Sequence, residues 1–310
     1  MTYEDILLEL VNTDDRFIVM TAENRAAIRN LPSKIGNRFI DVGISEQTMI
    51  GAAAGLALKG RIPVTHALAT FITLRAFEFI RTDVGIANLP VKLVGGVPGF
   101  LSDGNGPTHQ AIEDISLMRG IPNMNIFCPA DEEDMLIGLK EVLTHNSPFY
   151  IRYNNLKAGV THDKNFKIGK AEIFCSHSVI PAKAEIPQSN DIAIIVYGFL
   201  LKQALEAKTL LEGKGHSVRV INLRTVKPID EQALLSAAGE CKLVVTLEDH
   251  FLTGGLYSIL AEILLKNMLT VKVLPIALDN KWFRPALLND VLEYEGFTGP
   301  QICDKILKVM

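Results

Sequence analysis

The chain has 310 residues, 48% of them hydrophobic and 21% charged, with a formal net charge of −4. That is enough apolar material for two packed domains, and the near-balance of charge points away from nucleic acid or an anionic membrane surface as partner. Four scattered cysteines (Cys128, Cys175, Cys241, Cys303) form no CxxC or Cys/His cluster, so neither a disulfide framework nor a structural zinc site is indicated.

The first ten residues, MTYEDILLEL, are acidic and amphipathic, unlike a secretory leader, and no apolar run is long enough to cross a bilayer. A reducing cytoplasm fits. Residues 2–12 carry Ile6, Leu7, Leu10 and Val11 on one face and predict a helix. Strands are expected at residues 16–20 and 39–42, either side of a turn region at Pro32. A polar triplet, Ser45-Glu46-Gln47, then opens a helix nearly free of bulky side chains, with Gly51, Ala52, Ala53, Ala54, Gly55 and Ala57. Two glycines inside a helix cost about 1 kcal/mol each relative to alanine, which makes sense where another backbone approaches closely. Glu46 reads two ways. It is a first-turn carboxylate serving the helix end, or a buried carboxylate at an interface that must find a partner or stay protonated.

Residues 62–67 read as a strand and 71–87 as a helix with Phe71, Leu74, Phe77 and Ile80 at helical spacing. A strand at 91–95 runs into a glycine-rich loop, 95–106. Residues 108–118 are expected to be helical, with Thr108-His109 at the N-terminus. A strand at 125–128, a helix capped by Asp131 and running to His145, and a strand at 149–153 close the series. A histidine at a helix start either makes a local hydrogen bond or serves an oxygen-bearing ligand. Aromatics at helical spacing are core or a pocket for a flat ring.

Residues 154–170 are polar and irregular. Residues 175–191, CSHSVIPAKAEIPQSND, hold two prolines and no period, and read as an extra surface loop. A second alternation follows, with strands at 192–196, 218–221, 243–247 and 271–276 and helices at 200–212, 230–239 and 253–267. The expectation is an α/β chain of two domains, each a mostly parallel sheet flanked by helices. The boundaries are 1–165, a linker over 166–190, and 191–310. Ligands of such sheets sit at the carboxyl ends of the strands, where Glu46, Phe71 and the 95–106 loop share a rim.

Several strings together resemble the transketolase family. GISEQTMIGAAAGLAL is similar to its cofactor-activating segment and GPTHQAIED to its substrate-channel motif. ATFITLRAFEFIR is similar to its aromatic pocket. RGIPNMNIFCPADEED, TVKPID and TLEDHFLTGG extend the likeness almost end to end. The resemblance implies thiamine diphosphate as cofactor, with Glu46 on its aminopyrimidine ring, favouring the imino tautomer. Phe71, Leu74 and Phe77 would surround that ring, and Glu23 would lie on the thiazolium side. It implies His109, Asn105 and Arg152 on the substrate, Arg152 holding a sugar phosphate, although an ordinary strand-end salt bridge is an equal reading of Arg152. His250, in TLEDH, is expected to be structural or interfacial. The implied reaction moves a two-carbon ketol unit from a ketose to an aldose.

The family's GDG motif for Mg2+ or Ca2+ and diphosphate is not found, and the chain is about half the length of a full transketolase. It therefore resembles the C-terminal section of a split enzyme. Its active site would be shared with an N-terminal, diphosphate-binding subunit, in a two-fold symmetric assembly. Asn105 stands where the family typically has Asp, and Val97 where many members have a channel His; both departures lie on the substrate side. The remaining alternatives are a beta-type subunit of a 2-oxo acid dehydrogenase, a deoxyxylulose-phosphate-synthase-like carboligase, and a non-catalytic homologue.

Overall fold

The computed structural model describes residues 1–175, 178–180 and 191–310, so most of the expected surface loop over 175–191 lies outside the described residues. The strands are β1 (Phe17–Thr21), β2 (Phe39–Asp41), β3 (Ile62–Leu68), β4 (Lys92–Gly96), β5 (Asn125–Phe127), β6 (Phe149–Arg152) and β7 (Glu172–Cys175). They continue with β8 (Ser178–Ile180), β9 (Ile192–Val196), β10 (Val218–Asn222), β11 (Thr225–Lys227), β12 (Leu243–Phe251) and β13 (Lys272–Leu278). One sheet has the order β11-β5-β6-β4-β3-β1-β2 and the other β13-β12-β9-β10-β7-β8. Every pairing is parallel except those of β11 with β5, β7 with β10 and β8 with β7. β1, β6 and β9 are buried along their whole length, as a parallel sheet covered on both faces requires.

The helices are α1 (Tyr3–Thr13), the single turn α2 (Pro32–Ile35), α3 (Glu46–Leu58), α4 (Phe77–Phe79), α5 (Asp114–Arg119) and α6 (Glu132–Thr144). They are followed by α7 (Leu201–Glu212), α8 (Glu231–Glu240), α9 (Leu256–Lys266), α10 (Leu288–Glu295) and α11 (Gly299–Leu307). Thr2 and Asp5 form a capping box on α1, and Asp131 caps α6 through the N–H of Asp134. None of the helices among the described residues is long and apolar enough to cross a membrane. The four cysteines are unpaired.

The structure departs from the sequence expectations in four places. The helix expected over 71–87 is instead two π-helical stretches, Phe71–Arg75 and Ile80–Gly85, joined through α4; such wide turns mark functional sites. The helix expected from 108 begins only at Asp114. Gly106 has φ +80, Gly99 N–H bonds to the Ala111 carbonyl, and the Glu113 carboxylate takes the Ile112 N–H, so local bonds displace the first helical turns. The expected 166–190 linker contains β7, whose residues pair antiparallel with β10 in the second sheet. Finally, β11 leaves the second unit to close the first sheet, with Thr225 opposite Phe127. One apolar cluster, running from Ile18 and Met49 through Ile126 and Val226 to Leu256 and Leu260, joins the two units.

Candidate active site

Glu46 opens α3 just beyond the carboxyl end of β2 and is 2% exposed. Of the two readings of this carboxylate, the structure gives the partnered one: Arg75 Nη1 donates to its Oε2 at 2.8 Å. The Arg75 guanidinium lies over the Phe71 ring, 4.2 Å from the centroid. Phe71 in turn meets the His109 ring edge-on, with centroids 5.0 Å apart. Thr108 Oγ1 lies 2.8 Å from His109 Nδ1. A carboxylate, a guanidinium, an aromatic ring and an imidazole thus form one connected row. The π-helical stretch that follows β3 carries its two middle members.

The other expected site residues are placed less tightly. Leu74 is 43% exposed, and Phe77 is half-buried against the core. Glu23 is exposed and holds φ +66, a left-handed conformation uncommon for a residue other than glycine. Its N–H donates to Asp41 Oδ1 at 3.3 Å. Burial would raise the Asp41 pKa, but Arg25 and two backbone donors outweigh it and hold the carboxyl below its usual range. Asn105 is exposed in a short turn, Asp103–Asn105, between the loop glycines and His109.

Arg152 requires a correction. It is buried, and all three guanidinium nitrogens are taken. Nε donates to Asp114 Oδ2 at 2.9 Å, and Nη1 and Nη2 donate to Asp249 at 2.8 and 3.1 Å. A bidentate fork already matched to a carboxylate is not open to a sugar phosphate. The family-like string TLEDH is explained by the same contacts. Glu248 accepts the Leu256 and Tyr257 N–H groups at the start of α9, Asp249 holds Arg152, and His250 Nε2 accepts the Ser116 N–H at 3.2 Å. His250 is buried in this arrangement, which suits the structural reading of it.

Sequence reasoning missed Arg75. It lay four residues after Phe71 in the quoted string, so its helical spacing was the available signal. It also missed a buried charge cluster away from the rim, Asp131, Asp134, His162, Glu172 and Arg224. Asp134, His162 and Glu172 are close enough to share a cation. Arg224 already fills that role, 2.7 Å from Asp134 and 3.2 Å from Glu172, though its Nε–H does not point squarely at Asp134.

Comparison with known proteins places this geometry. Residues 1–159 match the pyrimidine binding domain of transketolase, and residues 182–302 match the transketolase C-terminal domain. The chain belongs to the transketolase family. It is 37% identical over 270 residues to the 6-deoxy-6-sulfo-D-fructose transketolase subunit of Clostridium sp. (strain MSTE9), covering 86% of this chain and 80% of that one. It is 32% identical to the 1-deoxy-D-xylulose-5-phosphate synthase of Dictyoglomus thermophilum, of whose length it spans 49%. A solved structure described as a split gene transketolase, inactive beta4 tetramer, superposes with a TM-score of 0.85 at 30% identity, covering 99% of this chain and 96% of that one.

The rim fits the pyrimidine end of the thiamine diphosphate on which this transketolase family depends. No hydrogen bond among the described residues engages Glu46 Oε1, and Phe71 supplies an apolar flank. The diphosphate end finds less here. The carboxylate group best spaced for a metal is closed by Arg224, and the sequence holds no GDG.

Proposed function

We propose that this chain is the C-terminal subunit of a split transketolase. It would transfer a two-carbon ketol unit from a ketose to an aldose at a site shared with a separate diphosphate-binding subunit. The observation that carries the reading is the row Glu46–Arg75–Phe71–His109, set beside an uncovered face of small residues on α3. Relatives named as a transketolase subunit and as a split gene transketolase support it. The same reading takes residues 1–165 as the pyrimidine-binding domain and 191–310 as the C-terminal domain, with 166–190 connecting them and lending β7 and β8 to the second sheet. Four unpaired cysteines, three of them buried, suit a reducing cytoplasm.

Bound thiamine diphosphate would supply the electron sink for carbon–carbon cleavage, with Mg2+ or Ca2+ held mainly by the partner subunit. The residues of this chain position and protect. Arg75 holds one oxygen of Glu46, which would leave Oε1 for the aminopyrimidine nitrogen of the bound cofactor. Phe71, with Leu74 and Phe77 from the same segment, would shield the ring from water, and Glu23 would serve the thiazolium side. His109, with Nδ1 beside Thr108, offers Nε2 to substrate oxygens. Asn105 can donate as well as accept.

On α3, Gly55 faces open space and Gly51 has only Asp83 Oδ2 at 4.0 Å from an added Cβ, so nothing among the described residues requires either glycine. Ile44 and Ile86 are 75% and 69% exposed. An uncovered apolar surface of this kind suits a partner subunit or a second copy. Glu46→Gln provides the test. In the reconstituted complex ketol transfer should fall at least a hundredfold while the two subunits still copurify. Undiminished activity would refute the role given to Glu46.

A further inference from the structure

A cavity of about 280 Å³ opens at the carboxyl ends of β1, β3 and β4. Asn24 in its wall follows Glu23, Leu68 lies three positions before Phe71, and Val97 and Leu101 belong to the loop that leads to His109. The cavity thus shares its chain segments with the proposed site, which on the two-carbon-transfer reading makes it the nearest receptacle for the sugar end remote from the transferred carbons.

Its walls carry no charge to meet an anion. Ala26, Ala27, Ala67, Leu68, Val97 and Leu101 are among its apolar wall residues. His66 is the one titratable base in the wall, and both ring nitrogens are used, Nε2 with the Tyr3 hydroxyl at 2.8 Å and Nδ1 with the Met20 carbonyl at 3.1 Å. Burial pushes its pKa down to about 4, so it is neutral in ordinary buffers. No lysine or arginine lines the cavity among the described residues. Arg152, next to the wall residue Tyr153, is closed off by Asp114 and Asp249. Neutral donors remain. Asn24 spends its oxygen on the Ala26 N–H at 3.2 Å, which leaves its amide N–H2 group, and Tyr153 and Asn155 complete the polar part of the wall. A phosphate dianion here would lose its hydration with no cation in return, whereas a hydroxyl or deoxy carbon would find matched surroundings. Val97 holds φ +48, a conformation that disfavours a β-branched residue.

We infer that this cavity receives the remote end of the sugar substrate and that this end is uncharged, an unphosphorylated hydroxyl or deoxy terminus. The inference rests on the two-carbon-transfer reading above. The test uses this chain reconstituted with a diphosphate-binding transketolase subunit, with D-xylulose and D-xylulose 5-phosphate as donors. The kcat/KM for D-xylulose should exceed that for its phosphate at least tenfold. Val97→Arg, which places a cation in the wall at a position less strained without β-branching, should shift that ratio toward the phosphate at least tenfold. A wild-type preference for the phosphate overturns the inference. If neither ketose is cleaved, the transferase reading fails, and saturation-transfer NMR of both sugars on the full chain decides the cavity separately. Binding of D-xylulose that Val97→Arg weakens upholds the inference; tighter binding of the phosphate, or binding of neither, overturns it.

Discussion

Arg152 ends β6 at the rim, and its residue type suits a phosphate, but its surroundings do not. Desolvation would lower its pKa, and the Asp114 and Asp249 carboxylates more than reverse that, so it stays charged inside the protein. Gly99 is shaped around the same pair: at φ +57, a Cβ there would meet Asp249 Oδ2 at 1.7 Å. Removing one partner of a buried, hydrogen-bonded pair is costly because it leaves the other charge uncompensated. Asp249→Asn should therefore lose about 3–5 kcal/mol of stability, read by urea denaturation; a loss under about 1 kcal/mol, the worth of an exposed pair, would contradict the assignment. At this scale the sequence was legible where a residue's neighbours in the chain define its task. The place of Glu46 at a helix start is an example, whereas His109 precedes by five residues the helix it was expected to open. The sequence was not legible where the partner is remote, as with Arg152 and Asp249, ninety-seven positions apart.

β7 lies in a stretch that reads as linker because its four residues are too few to show a period. What secures it is charge as well as pairing. Glu172 at its start accepts from His162 Nδ1 at 2.8 Å, and His162 Nε2 reaches Asp131, the cap of α6, at 3.0 Å. Burial alone would lower the His162 pKa, but Asp131 and Glu172 outweigh it and push it up to about 10. The folded protein thus binds more protons than the unfolded chain between about 6.5 and 10. His162 contributes its full stabilisation below pH 6.5, and loses it as pH rises through 10. Denaturation midpoints should fall across that window, and His162→Gln should flatten the slope; an unchanged slope in the variant would show that His162 is not the titrating group. Strands β1, β3, β4, β6 and β9 were legible because apolar runs bounded by turn residues are local signals. The edge strand β11 was not, since its place beside β5 depends on a pairing nearly one hundred residues away. The π turns at Phe71 and Ile80 were not either, because their side-chain spacing still resembles an α-helix.

The two units are joined by more than their connection. β11 crosses into the first sheet, the Arg152–Asp249 pair and the His162 cluster bridge the seam, and one apolar cluster runs through it. By contrast α3 is left with an open Gly55 and an exposed Leu58, and Ile44 just before it and Ile86 after the second π-helical stretch are exposed too. On the proposed reading the rim would serve the pyrimidine end of the cofactor and leave its diphosphate to the partner subunit. Calorimetry with thiamine diphosphate and magnesium tests that division most directly, first on this chain alone and then on its mixture with a diphosphate-binding subunit. Binding in the mixture only is the predicted result. Tight binding by this chain alone would contradict the shared site.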